Sequence, residues 1–193
     1  MRGSAAMENL AIRDAAPDDA ESVARIYGHH VLHGTASYDV IPPPDEYLRD
    51  KIEAVTAAGW PFLVAERDGT LVGYAYATQF RDREGYRFTA EDSIYVHPDW
   101  MGQGIGGALL DALIERSVDF GFRTLIAVIG GGEAGSVAVH ASRGFREVGR
   151  LHAAGYKNGC WLDNVYMQLE MRSTADLRLA MSDPNLDEAL FSD

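Results

Sequence analysis

Residues 94–110 read Ile94-Tyr95-Val96-His97-Pro98-Asp99-Trp100-Met101-Gly102-Gln103-Gly104-Ile105-Gly106-Gly107-Ala108-Leu109-Leu110. An apolar strand runs into a short loop, four glycines fall within six residues, and a leucine-rich helix follows. Glycines let the main chain come close to a ligand and adopt positive φ. A helix that starts there presents unpaired N–H groups and the positive end of its dipole. Together these features make an anion site suited to a diphosphate. Gly102, Gly104 and Gly107 also satisfy the dinucleotide fingerprint G-x-G-x-x-G. That fingerprint follows its strand directly, and an acid about 20 residues on ends the next strand. Here five residues, His97 to Met101, intervene, and the next strand ends at Ile129-Gly130 without an acid. No second βαβ half completes a nucleotide site either. The loop therefore reads as a phosphate cradle of another kind.

Outward from this segment, hydrophobic periodicity predicts the other elements. Leu10 to Arg13 reads as a first strand. Val23, Ile26, Tyr27 and His30 recur at helical spacing, giving a helix over 18–31. Residues 35–44 form a loop broken by Pro42-Pro43-Pro44, and a second helix covers 45–57. Strands over 61–67 and 70–80 flank Asp68-Gly69, a strong hairpin dipeptide. A strand over 89–96 precedes the glycines. The helix over 104–120 turns Leu109, Leu110, Leu113, Ile114 and Val118 to the core and stops at Gly121. The apolar run 124–129 suits a strand buried on both faces. A short helix covers 134–142, and Val165 to Leu169 closes the sheet. Alternating strands and helices with an early hairpin imply an α/β domain on a mixed sheet.

The chain has 193 residues, a formal charge of −12 and 47% hydrophobic residues. That is enough for one cored domain over 10–171. Residues 1–9 read as a leader outside the fold, and 172–193 as an acidic tail. The acidic balance argues against a general nucleic-acid binder. No apolar run reaches the ~18 residues that a membrane span needs. One cysteine, Cys160, excludes an intrachain disulfide and any multi-cysteine metal cluster, and no metal is expected.

The strand, loop and helix resemble the acetyl-CoA-binding motif of the GNAT acyltransferase superfamily, Q/R-x-x-G-x-G/A, with its slots at Met101, Gly104 and Gly106. Met101 departs from the usual Gln or Arg. The resemblance narrows through Thr89-x-Glu91-x-Ser93-x-Tyr95-Val96, Ala127 to Gly130, Ser136 with His140, Gly144-Phe145, and Tyr156-Lys157-x-Gly159-x-Trp161-x-Asp163. These stretches are similar to the phosphinothricin and methionine sulfone/sulfoximine acetyltransferases. The resemblance implies a GNAT-like fold with a splayed central strand pair. A bulge in the strand over 89–96 is expected to cause the splay and free its edge for the pantetheine arm. It also implies a homodimer in the cytoplasm, acetyl-CoA as co-substrate and a small-molecule amine as acceptor.

On that reading, the cofactor is expected to meet Ile94, Tyr95 and Val96 on the strand edge. Its diphosphate falls to Met101, Gly102, Gln103, Gly104, Ile105, Gly106 and Gly107, and its arm to Glu133 and Ser136. Glu133 stands where the resembled group has an asparagine. Acetyl transfer to an amine requires removal of an amine proton, stabilisation of an oxyanion and departure of a thiolate. Glu91 is the expected base, since a carboxylate beside an apolar cleft has a raised pKa. Asp92 competes with it. His140 is expected either to protonate the thiolate or to serve as a buried structural histidine. Strand alternation places Glu91, Ser93 and Tyr95 on one face and Asp92, Ile94 and Val96 on the other. Phe80, Arg81, Arg83, Glu91, Asp92, Ser93 and Tyr156 are expected around the acceptor, with guanidinium groups suited to its acid. Two alternatives stay open: a GNAT protein or peptide N-acetyltransferase, and a non-catalytic acyl-CoA-binding module.

Overall fold

The structure, a computed structural model, describes residues 9–171. The leader, but for Asn9, and the acidic tail expected over 172–193 lie outside the described residues. In chain order the elements are β1 (Leu10–Asp14), α1 (Ala20–His33), α2 (Asp45–Ala57), β2 (Phe62–Arg67), β3 (Thr70–Gln79) and β4 (Thr89–Val96). There follow α3 (Ile105–Phe120), β5 (Thr124–Gly130), α4 (Ala134–Ala141), β6 (Arg146–Lys157) and β7 (Cys160–Glu170). The strands form one seven-stranded sheet in the order β1-β2-β3-β4-β5-β7-β6. Only β4 and β5 run parallel. The 16-residue α3 makes the crossover that a parallel pair requires.

Two cores lie on opposite faces of the sheet. On one face α3 buries Ile105, Leu109, Leu110 and Leu113 against Ala75, Ala77, Ala90, Leu125 and Ala127. Each such leucine contributes ~1.5–3 kcal/mol relative to exposure. Small alanines on the strands let the helix approach closely. On the other face α1 and α2 cover Phe62, Val64, Tyr74, Tyr76 and Tyr95. Asp68 and Gly69 adopt φ of 49° and 76°, the left-handed pair that a type I′ hairpin turn needs.

Three expectations need correction. The sheet does not close at 165–169. β7 begins at Cys160, lies inside the sheet, and pairs on its outer side with β6. β6 was not expected at all, because it is exposed along almost its whole length and carries no hydrophobic alternation. Nor does a bulge interrupt β4, whose register with β3 is continuous from Gly73↔Val96 to Gln79↔Ala90. The splay has another origin. β4 and β5 pair from Thr89↔Thr124 only to Asp92↔Ala127. Beyond that point β4 stays with β3 and β5 stays with β7 through Gly130. Each strand keeps its other ladder, so the sheet divides without an inserted residue.

Candidate active site

The divided sheet opens a cleft of about 210 Å³ between the C-terminal halves of β4 and β5. Glu91 to Tyr95 line one wall, Ala127 to Gly130 the other, and Glu133, Ser136 and His140 of the α4 region close one end. The His97 amide donates to the Val72 carbonyl at 2.8 Å, which fixes the alternation of β4 against β3. Ile94 and Val96 therefore turn their main-chain groups to the cleft. The Val96 carbonyl accepts from His30 Nε2 at 2.8 Å, which puts the ring proton on that nitrogen. Burial, first of all, lowers the His30 pKa.

The glycine loop follows directly. Gly102 and Gly104 take φ of 73° and 86°, and Gly104 is the N-cap of α3. The Ala108 amide donates to the Gly104 carbonyl at 3.0 Å and closes the first helical turn. The amides of Ile105, Gly106 and Gly107 precede that bond and have no intrahelical acceptor. No acid stands in this first turn, so nothing there repels an anion. Ile105 turns its side chain into the core and offers only its main chain. Met101 is exposed, and Gln103 accepts from Arg67 Nη1 at 3.2 Å. A diphosphate thus fits the main-chain donors present.

At the end of the cleft His140 and Asp92 form one unit. His140 Nε2 lies 2.9 Å from Asp92 Oδ2, and both side chains are buried. Its Nδ1 lies 2.7 Å from the Ser136 carbonyl. A carbonyl only accepts, so Nδ1 carries a proton, and a second proton must lie between Nε2 and the carboxylate. Burial alone lowers the His140 pKa; the bond to Asp92 and its charge outweigh burial and raise it. The pair therefore holds a proton beside the cleft. Asp92 Oδ1 is buried and has no hydrogen-bond partner among the described residues.

Glu91, Ser93 and Tyr95 take the opposite face, as alternation requires. Glu91 is half-buried. Burial raises its pKa, neighbouring Asp92 raises it further, and Arg81 and Lys51 oppose both. Arg81 and Arg83 stand exposed on the loop after β3, whose carbonyls are held by Gln79 Nε2 at 2.6 and 3.0 Å. Arg81 lies over the Phe80 ring, 4.5 Å from its centroid.

Several expected residues sit differently. Glu133 caps α4, accepting from the Gly135 and Ser136 amides at 3.2 and 2.7 Å, so its carboxylate is engaged by the helix. Tyr156 is exposed on the β6–β7 hairpin, its ring tilted against that of Trp161, and neither it nor Phe80, Arg81 or Arg83 is among the residues lining the cleft. Sequence reasoning missed Ala36, Tyr38 and Asn164, which do line it. Tyr38 donates to Asn164 Oδ1 at 2.5 Å, and buried Lys157 donates to the Ser37 carbonyl at 2.5 Å. These bonds tie the loop between α1 and α2 to the β6–β7 hairpin. The loop's polar residues, Thr35 to Asp39, were the available signal.

Among the described residues no group of three or more His, Cys, Asp or Glu is placed to hold a metal. No helix there is long and apolar enough to cross a membrane.

Comparison with known proteins converges on one chemistry. Residues 28–145 match the family model described as the acetyltransferase (GNAT) family. A phosphinothricin N-acetyltransferase of Alcaligenes faecalis is 48% identical over 158 residues, covering 81% of this chain and 80% of that protein. An L-methionine sulfoximine/L-methionine sulfone acetyltransferase of Salmonella typhimurium is 35% identical over 162 residues, covering 84% and 95%. A crystal structure of a phosphinothricin acetyltransferase from Sinorhizobium meliloti in complex with acetyl-CoA superposes with a TM-score of 0.84 at 43% identity. It covers 86% of this chain and 91% of that one.

Proposed function

This chain belongs to the GNAT acetyltransferase family and is an acetyl-CoA-dependent N-acetyltransferase; from that premise we propose that it acetylates the α-amino group of a small amino-acid-like substrate of the phosphinothricin or methionine sulfone/sulfoximine type. The observation that carries this reading is the half-buried Glu91 carboxylate, raised in pKa, on the wall of the cleft between the parted halves of β4 and β5.

Acetyl-CoA supplies an acetyl thioester, and this chain's residues do the rest. Loop amides from Met101 to Gly107 hold its diphosphate. The free edge at Ile94 and Val96 holds its pantetheine arm in line with Glu91. Holding two reactants in line supplies on the order of 7 kcal/mol. Glu91 accepts the amine proton, directly or through a water, and the amine then attacks the thioester carbonyl in a ternary complex. The His140–Asp92 pair gives its shared proton to the departing thiolate. Arg81 and Arg83 hold the acceptor's acidic group, with Phe80 and Ser93 beside it.

The protein works as a cytoplasmic homodimer. Val148, Leu151, Tyr156 and Trp161 expose an apolar surface on the β6–β7 hairpin that a second copy would cover. Tyr156 would reach an acceptor pocket only in that assembly.

The test is thiol release from acetyl-CoA against phosphinothricin, methionine sulfone, methionine sulfoximine, peptides and aminoglycosides. Release with the amino acids is expected. Release only with peptides would instead assign a protein N-acetyltransferase, and binding of acetyl-CoA without turnover a non-catalytic module.

A further inference from the structure

Lys51 lies on α2 and stands half-buried against the sheet. Its Nζ is 4.3 Å from the centre of the Tyr76 ring and donates to Tyr76 Oη at 2.6 Å. The ammonium has three donors, and this bond uses one. No ion pair joins Lys51 to an acid among the described residues. Two donors therefore remain for an anion. Because Lys51 donates to the phenol oxygen, the phenol's own proton points elsewhere and is a second donor at the same place.

The register shows where this place is. Tyr76 faces Ser93 and Thr78 faces Glu91. Tyr76 and Phe80 therefore lie two residues to either side of the position opposite Glu91, about 7 Å in each direction. Arg81 stands beyond Phe80. One cation thus lies on each side of the expected base, and both act on Glu91 electrostatically. An acceptor whose amine sits at Glu91 meets an anion-binding group in both directions.

We propose that Lys51 and the Tyr76 hydroxyl together bind the α-carboxylate of the acceptor, leaving Arg81 and Arg83 for the distal phosphinate or sulfone oxygens. This rests on the amino-acid acetyltransferase reading above and adds the feature that selects amino acids over simple amines. Lys51 is a binding residue here; Glu91 alone takes the proton.

The probes are L-methionine sulfone and its methyl ester, which lacks the carboxylate charge; comparing their ratio between variants cancels the ester's own change in amine basicity. The readout is the ratio of their kcat/KM values at saturating acetyl-CoA. The wild type is expected to favour the acid. K51Q and Y76F are expected to lower the acid-to-ester ratio at least tenfold, chiefly through KM for the acid. K51R, which keeps the charge, is expected to recover part of it. Unchanged KM for acetyl-CoA and unchanged melting behaviour show that the variants are folded. An equal ratio in wild type and K51Q overturns the proposal while the parent reading stands. Failure of the wild type to turn over either probe, or any amino acid in the wider panel, overturns both.

Discussion

His140 Nε2 and Asp92 Oδ2 lie 2.9 Å apart, joining α4 to β4 with both side chains sealed from solvent. Two separate roles were open for these residues in the sequence; the geometry makes them one proton-holding pair. Asp92→Asn should release that proton and lower the midpoint of the His140 titration, read by histidine NMR. Leaving a buried donor or acceptor imperfectly matched costs about 1–3 kcal/mol. D92N and H140Q should be strongly non-additive in a double-mutant cycle, as expected for contacting groups. Additive losses would mean that the two side chains act separately.

The same pair makes stability depend on pH. The folded His140 pKa is raised above its ordinary value of about 6.5. The folded state therefore binds a proton that the unfolded chain releases, and stability falls with rising pH in that interval. The stabilisation is fully present below about pH 6.5 and is lost as pH climbs through the folded value. Urea unfolding of wild type and H140Q across pH 5.5 to 9 should show curves that converge at the alkaline end. Parallel curves would remove the pair as the source.

Glu91 is shifted in the same direction, and there the consequence is for catalysis. Its folded pKa is raised, chiefly by burial, so the base form is lost at a higher pH than for an exposed glutamate. The acidic limb of kcat/KM should carry this raised value, separate from the pKa of the acceptor amine. Glu91→Gln should lower kcat by ~10²–10⁴-fold, the usual worth of general-base catalysis, and abolish that limb. Acetyl-CoA affinity, measured by calorimetry, should stay within a few-fold of wild type. Full activity in the variant would pass the role of base to another group.

The helical face of α3, the Asp68-Gly69 hairpin and the glycine loop were legible because each has a local signature: a period, a turn dipeptide, a cluster of glycines. β6 was not. Arg146, Glu147, Val148, Gly149 and Arg150 are all exposed at the sheet edge, so burial imposed no alternation on them. Its one clear signal was Asn158-Gly159, which turns β6 into β7 with φ of 53° and 79°. In the site, Glu91 and the loop residues lie on one continuous stretch and could be read together. Lys51–Tyr76, His30–Val96 and Tyr38–Asn164 are joined across 25, 66 and 126 residues. No local pattern encodes such a pairing; only the packed chain creates it.

The glycines of the loop should not be interchangeable. Gly104 sits at φ 86°, where a Cβ strains the backbone by about 1–2 kcal/mol. Gly104→Ala should tilt the first turn of α3 and raise KM for acetyl-CoA, with kcat at saturation less affected. At Gly107 the φ is ordinary, and an added Cβ meets only the flexible Arg143 guanidinium. That side chain can swing aside at the expense of its bonds to Asp111 at 3.0 and 3.1 Å. Gly107→Ala should therefore perturb acetyl-CoA binding less than Gly104→Ala. The reverse order in initial-rate kinetics would place the diphosphate elsewhere.

The β6–β7 hairpin gives the assembly a direct test. Tyr156 and Trp161 are 59% and 68% exposed, with ring centres 5.1 Å apart. Large aromatics held this far out of a core are characteristic anchors of protein interfaces. Trp161→Asp places a charge in that surface while leaving the Asn158-Gly159 turn and the inward-facing Val165 and Met167 untouched. Light scattering after gel filtration should show a dimer for the wild type and a shift toward monomer for W161D. Activity should fall with the loss of the dimer if Tyr156 completes the acceptor pocket of the neighbouring copy. A fully active W161D monomer would confine the whole active site to one chain, and an unchanged dimer would move the interface to another face.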